Sequence, residues 1–422
     1  MAMDAHSTEA MGCDVAVCGG GLVGATLALA LADLALDVVL IEAHPFGTFG
    51  QPSFDDRTTA LSNGSRRIFE ALRVWPLLER EATAIRRIHV SDRGRFGFAR
   101  LDAAEQGLSA LGFVVVNRAI GAALWRRLED SSVRILAPAK VRGMRLVDGR
   151  QRIECDLGPQ VDPQGIASVE ARLAIAADGA QSALREAAGI GAQTWNYDQT
   201  ALVSNVLTQR FHDHVAYERF TPSGPLALLP MSEGRVGLIW TFTPDVAQSV
   251  AQANDTEFLA RLQDAFGFRL GRFMRVGARQ LYPLALTRAN EHVAERLAIV
   301  GNAAQTLHPI AGQGFNLGLR DAASLAEVLA DGRAQRRDAF DPGDGLWLER
   351  YREWRQDDRT NIVRFTDGLV RLFAQPLGPI KALRDVGMLA FDLMPAAKGA
   401  LAQLSLGAAG RIPKLARGAS LL

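Results

Sequence analysis

Lysine is nearly missing from this chain: of 47 basic residues, only Lys140, Lys381, Lys398 and Lys414 are not arginine. We read that imbalance as genome composition rather than function. Net charge is equally scarce, with 47 basic residues against 46 acidic ones and a formal balance of +1. A nucleic-acid partner held by bulk electrostatics is therefore excluded. Cysteine is confined to Cys13, Cys18 and Cys155, with no CxxC pair and no metal spacing, which points to free thiols in a reducing cytosol. The first thirteen residues hold Asp4 and Glu9 and no Lys or Arg, so they lack the charged start of a signal peptide. The apolar stretch from Gly19 to Ala32 stops at Asp33, short of the roughly 20 residues that a membrane span needs. A cytoplasmic protein is expected, peripheral to the inner face of a membrane at most. His212-Asp213-His214 has no further His or Cys close by, and no metal is expected there.

Glycine is plentiful, and it is concentrated where phosphate chemistry would need it. Asp14 to Cys18 reads as a short buried strand, followed by Gly19-Gly20-Gly21-Leu22-Val23-Gly24 and a helix-forming run from Ala25. A second strand, Asp37 to Ile41, ends at Glu42, eighteen residues beyond Gly24. In such a unit Gly19 permits the tight turn, Gly21 lets backbone approach a pyrophosphate, and Gly24 lets helix and strand pack closely. The helix N-terminus attracts the phosphates, while Glu42 accepts hydrogen bonds from a ribose.

Two later segments go beyond what a nicotinamide nucleotide alone requires. A strand from Arg172 to Ala177 ends in Asp178-Gly179 and continues to Arg185. Another strand, Arg296 to Val300, opens the long small-residue loop Gly301 to Gly318, then a helix from about Leu317 to Ala330, closed by Gly332. Its glycines allow backbone to lie against a planar ring, and the helix aims its positive end there.

In this order and at these separations, the three segments resemble the aromatic-hydroxylase family of single-component FAD monooxygenases, over residues 12 to 375. Within it, Gly301 to Gly318 is most similar to the ubiquinone-biosynthesis branch, and there to hydroxylases of 2-polyprenyl-6-methoxyphenol. Val90–Gly94, Glu218–Thr221, Gly224–Met231 and Tyr282–Leu286 support the same branch. One departure is Asn302, where the wider superfamily has Asp. Asn keeps an acceptor oxygen and loses the charge, and the variant fits the methoxyphenol branch.

The resemblance implies an α/β fold: a Rossmann-like discontinuous FAD domain (12–82, 112–195, 285–345), an inserted β-sheet substrate domain (83–111, 196–284) and a helical C-terminal segment (346–422). It implies that Gly19, Gly21, Gly24 and Glu42 hold the ADP half of FAD and that Arg57 and Arg118 touch the flavin side. Asp178 and Gly179 would stand near the pyrophosphate, with Gly301 and Asn302 at the ribityl chain. Pro309, Gly312, Gln313, Gly314, Phe315 and Asn316 would border the isoalloxazine. No residue nucleophile is required; His308 is either flavin-adjacent or a hydrogen-bonded structural histidine. NAD(P)H is the implied transient reductant and O₂ the oxidant, oxygen being delivered through a flavin C4a-hydroperoxide to the ring carbon para to the hydroxyl. Another ring position of the same pathway, or a mainly structural FAD-binding subunit, are the alternatives.

The implied partners are a polyprenyl phenol, a ubiquinone-biosynthesis complex and a second copy of the chain. Residues 376–422 add apolar positions at helical spacing and a local excess of basic residues, which suits either a membrane surface or packing on the FAD domain.

Overall fold

The computed structural model describes residues 10–45, 57–95, 97–157, 166–307, 312–374 (362–374 as backbone) and 411–422. The first of its sheets runs in the order Val293–Ala294, Leu297–Ile299, Ile166–Ala176, Met11–Cys18, Val38–Ile41, Arg134–Leu136. Strand Met11–Cys18 lies parallel to both neighbours, its Val15 opposite Leu173 and Val38. A parallel sheet is covered on both faces and so reads as continuous apolar sequence; Val15, Ala16, Val17 and Cys18 are all fully buried. One face carries helices Leu22–Ala32, Asn117–Glu129 and Gln313–Arg336. The other is capped by the hairpin Lys140–Val147/Arg150–Asp156 through Ile153 and Cys155. All three cysteines are free and buried.

The second sheet has nine strands, in the order Gln305–Thr306, Gln280–Ala289, Ala192–Thr208, Arg235–Phe242, Gly224–Pro230, Val215–Thr221, Arg87–Asp92, Phe98–Asp102, with Phe273–Val276 beside the end of Ala192–Thr208. Side chains alternate across it. Leu202, Val206, Leu226, Leu238 and Trp240 form one fully buried face under helices Pro244–Gln252 and Asp255–Phe266. Val203, Ala227 and Ile239, on the opposite face, stay half-buried. A small sheet, Thr58–Ser62, Gly112–Val116 and Thr83–Ile85, packs against this second face through Val114, Ala216 and Met231.

Two expectations about the third segment are corrected. Its helix begins at Gln313 rather than Leu317 and runs to Arg336. Gly332 therefore lies inside the helix and does not close it. A side chain there would meet the Phe340 and Trp347 rings at 2.8 Å, so the glycine serves packing. Beyond it, helix Gly345–Ala374 buries Trp347 and Tyr351 completely.

The chain's last residues return to the first domain. Leu415, Ala416 and Leu421 are buried in its core. Lys414 Nζ meets Asp331 at 3.2 Å and Arg411 Nη2 meets Glu327 at 3.3 Å. Two of the basic residues read as available to a membrane are thus paired within the protein. Residues 376–410 lie outside the described residues. Among the described residues no helix is long and apolar enough to cross a membrane.

Candidate active site

The glycine turn after the first strand is forced by its surroundings. Gly19 has φ 110°, and a Cβ there would lie 2.4 Å from the Ala177 carbonyl oxygen. At Gly24 a Cβ would lie 1.9 Å from the Gly19 oxygen, so strand and helix approach as only glycine allows. The helix that follows has Gly21 as its N-cap, no side-chain cap and no acid in its first turn. Its positive end is left for an anion.

Glu42 stands beside this turn. Its Oε2 accepts from the Gly20 N–H at 2.6 Å and its Oε1 from His44 N–H at 2.9 Å. The carboxylate is 7% exposed, and each oxygen keeps a lone pair for a ribose hydroxyl.

The second segment touches the first and the third. The Ala177 backbone walls Gly19. Asp178 Oδ2 accepts from Leu184 N–H at 3.3 Å, while its Oδ1 is buried with no partner among the described residues. Gly179 takes φ 89°. Arg185 Nη1 donates to the Ala303 carbonyl at 2.8 Å, tying this segment to the third.

Val23, in the first turn of the opening helix, fills the space between Gly301 and Gly318. A Cβ would lie 3.2 Å from Val23 at Gly301 and 2.8 Å from it at Gly318. Segments nearly 300 residues apart in sequence thereby meet at two helix N-termini. Gly312, the N-cap of the second of these helices, has φ 60°. Gly314 is an ordinary helical residue, and among the described residues nothing stands within 4 Å of where its Cβ would be; the need for positive φ falls on Gly312, not on Gly314. Gln313 is buried, Phe315 half-buried and Asn302 exposed.

Asn316 anchors the loop. Its Oδ1 accepts from Ser62 N–H at 2.8 Å and Ser65 Oγ at 2.7 Å, and its Nδ2 donates to the Ala60 and Gly312 carbonyls at 2.9 and 2.8 Å. An amide has two acceptor and two donor positions, and all are used. The Arg57 carbonyl accepts from Asn117 N–H at 2.8 Å, which brings Arg57 and the exposed Arg118 to one end of the small sheet. The Arg57 guanidinium lies 4.9 Å over the Tyr282 ring, on the half-buried face of the large sheet. His308 and Pro309 lie outside the described residues. His212 and His214 bond to the Met231 and Ala84 carbonyls, and among the described residues no cluster suits a metal.

Beneath the loop is a buried ionic cluster that the sequence reading missed. Asp321 Oδ2 accepts from the Gly301 N–H at 3.3 Å, and its Oδ1 accepts from Arg355 Nε at 2.9 Å and Arg359 Nε at 3.2 Å. Asp321 and Arg355 are fully buried. The two arginines outweigh the burial and hold the Asp321 carboxyl below the usual range.

Two bare helix ends, a glycine cradle that admits no side chain, and an orphaned acceptor at Asp178 fit FAD laid across the three segments. The family model described as FAD binding domain matches residues 12–357. Ubiquinone hydroxylase UbiL of Rhodospirillum rubrum is 38% identical over 97% of this chain and 93% of its own length. The 3-demethoxyubiquinol 3-hydroxylase of Escherichia coli is 31% identical over 90% of this chain and 94% of its own. The crystal structure of p-nitrophenol 4-monooxygenase PnpA from Pseudomonas putida DLL-E4 superposes with TM-score 0.77 at 19% identity, covering 95% of this chain and 99% of that one.

The fold and the site define an FAD-dependent aromatic monooxygenase. The chain belongs to the FAD-binding aromatic-hydroxylase family, in its branch of ubiquinone-biosynthesis hydroxylases.

Proposed function

We propose that this enzyme hydroxylates a polyprenyl methoxyphenol at the ring carbon para to its hydroxyl, giving the benzoquinol, with NAD(P)H as electron donor. The observation that carries the reading is the near full-length match to ubiquinone hydroxylases. The wording of Gly301–Gly318, with Asn302 in place of Asp, supports the methoxyphenol step. FAD, when bound, supplies the activation of O₂ and delivers one oxygen atom to the ring. The chain's part is binding and position. Gly19, Gly21, Gly24 and Glu42 hold the ADP half, and Asp178 and Gly179 stand by the pyrophosphate. Arg57, Arg118, Asn302, Pro309 and Gly312 to Phe315 surround the flavin, with Asn316 locking the loop behind them. The half-buried apolar face of Val203, Ala227 and Ile239 receives the ring and the start of its tail.

The name of the Escherichia coli relative favours a second reading, attack at the position that carries no methoxy group in a demethoxyubiquinol. A deletion strain separates the two. Accumulation of 2-polyprenyl-6-methoxyphenol, relieved by the intact gene, is the expected result; accumulation of a demethoxyquinone selects the second.

A further inference from the structure

Across the half-buried face of the nine-stranded sheet, a row of apolar residues on neighbouring strands, Val90, Ala227, Ile239 and Val203, is interrupted by one carboxyl. Strand Val215–Thr221 presents Ala216, Glu218 and Phe220 to the same side. Ala216 packs with Met231 and Val114 against the small sheet, which fixes that side as the one facing the FAD segments. Glu218 stands opposite Val90 on one neighbouring strand and Ala227 on the other; Ala227 stands opposite Ile239, and Ile239 opposite Val203. Two strands away, Gly237 closes on Thr58, whose Oγ1 would lie 2.7 Å from a Cβ at that glycine. Thr58 follows Arg57, so Glu218 sits about 10 Å across the sheet from the strand that touches the Arg57 segment. A half-buried carboxyl among valine, alanine and isoleucine, with no partner among the described residues, contributes nothing to folding.

We propose that Glu218 is the proton acceptor for the phenolic hydroxyl of the bound substrate. The proposal rests on the reading of the enzyme as a phenol hydroxylase. The ionised carboxylate takes the phenolic proton: the phenol O–H bond breaks, its electron pair stays on the ring oxygen, and an Oε–H bond forms. The phenolate feeds electron density to its ortho and para carbons. One of them bonds to one oxygen of the reductively activated O₂ as a hydroxyl, and the O–O bond breaks with its electron pair on the other oxygen, which ends as water. Once the new C–O bond exists, the hydrogen on that carbon leaves as a proton to water. Glu218 then returns its own proton to the first ring oxygen, aromaticity is restored, and the carboxylate is ready again.

Among the described residues, the other charged groups on this side are Asp92, in register with Phe220 on the neighbouring strand, Arg235 at the start of its strand, paired with Glu233, and Arg57 and Arg118 at the end of the small sheet. Arg219 points to the opposite face, where its Nε donates to the Ala265 carbonyl. Burial alone pushes the Glu218 carboxyl up to about 7, which suits a base working near neutral pH.

The test uses the FAD-loaded full-length enzyme, Glu218→Gln and Glu218→Asp, with flavin absorbance as the check on folding. The first readout is the ionisation of 4-nitroguaiacol, a chromophoric methoxyphenol, on binding in the absence of reductant. Wild type should raise the phenolate fraction near pH 7, Glu218→Gln should abolish the rise, and Glu218→Asp should restore part of it. The second readout is kcat/KM for a short-chain prenyl methoxyphenol. It should climb through about pH 7 in wild type, while Glu218→Gln should lose that limb and fall about a hundredfold, as removal of a general base does. The third is the infrared band of a protonated carboxyl, present at pH 6, gone by pH 8 and absent from Glu218→Gln. Equal ionisation and an unshifted pH profile in Glu218→Gln would overturn the proposal while leaving the hydroxylase reading intact. A wild-type enzyme that binds and hydroxylates no phenol would overturn the hydroxylase reading, and the proposal with it.

Discussion

The Gly301 N–H donates to the Asp321 carboxylate at 3.3 Å, so the loop at the third FAD segment hangs from a buried charge held by Arg355 and Arg359. A buried pair broken on one side costs about 3–5 kcal/mol, because an uncompensated charge is left behind. Asp321→Asn should lower the unfolding free energy obtained from urea titration by that amount and release FAD on dialysis. Asp321 titrates below its usual 3.8, so its contribution is complete above about pH 4 and fades only as pH falls below that. A variant within about 1 kcal/mol of wild type at pH 7, with its flavin retained, would show that the cluster does not position the loop.

Local grammar made much of this legible in the sequence. The strand–glycine–helix–strand–acid order around Gly19 to Glu42 is set by short-range geometry, so its residues could be named before any fold was known. The Asp321 cluster could not be. Its members are separated by 34 and 38 residues along two helices, and each arginine taken alone reads as a solvated surface residue. Glu218 was equally hidden. It lay inside a stretch matched to the family, yet only the sheet register shows which face it shares and that its cross-strand neighbours, Val90 and Ala227, are apolar.

Glu42 serves two purposes, which modifies the effect of removing it. Glu42→Ala strips the acceptors from the Gly20 and His44 N–H groups, so the FAD-free protein itself should lose about 1–3 kcal/mol. FAD affinity should fall roughly tenfold to a hundredfold, as expected when hydrogen bonds to a charged acceptor are lost. Calorimetry of the FAD-free variant and flavin titration measure the two effects separately. Full occupancy after extensive dialysis would remove Glu42 from the ribose site.

Gly24 and Gly314 should respond in opposite ways to alanine. At Gly24 the new Cβ would lie 1.9 Å from backbone oxygen, and the variant should fail to fold in yield. At Gly314 it meets no atom of the described residues within 4 Å beyond its own helix turn, and alanine in a helix should leave stability unchanged or raise it by up to about 1 kcal/mol. Any loss of flavin by Gly314→Ala then reports a ring lying against that backbone. Unchanged FAD binding would place the isoalloxazine elsewhere.

Glu218 should make the protein less stable as pH rises. Its carboxyl titrates at about 7 in the folded protein against a reference of 4.5. Between those values the unfolded chain has released its proton and the folded chain has not, so stability falls across that window and stays low above it. Glu218→Gln should match wild type near pH 4.5 and exceed it by about 1–3 kcal/mol at pH 8. Parallel melting-temperature curves for the two proteins from pH 5 to 8 would show that this carboxyl is not perturbed.

The C-terminal segment divides into two parts that require different experiments. A cut near residue 375 also removes Leu415, Ala416 and Leu421 from the core, and takes the partners of Glu327 and Asp331. Losing a single buried leucine side chain costs about 2–5 kcal/mol, and a domain holds only about 5–15 in reserve. Such a truncation should unfold the enzyme whatever residues 376–410 do. The informative variant keeps 411–422 and replaces 376–410 with a Gly/Ser linker. Arg411 stacks 3.8 Å over the Trp354 ring, and Ala374 stands twenty helical residues further on, about 30 Å away. The linker must therefore exceed about ten residues even when fully extended, and about twenty leave it relaxed. If 376–410 carry the enzyme to a membrane surface, this variant should keep its FAD and hydroxylate a short-chain phenol at the wild-type rate. On a long-chain phenol in anionic vesicles it should lose most of its activity, and the intact enzyme should show the same loss in high salt. Equal activity on both substrates would free 376–410 of any part in reaching the membrane.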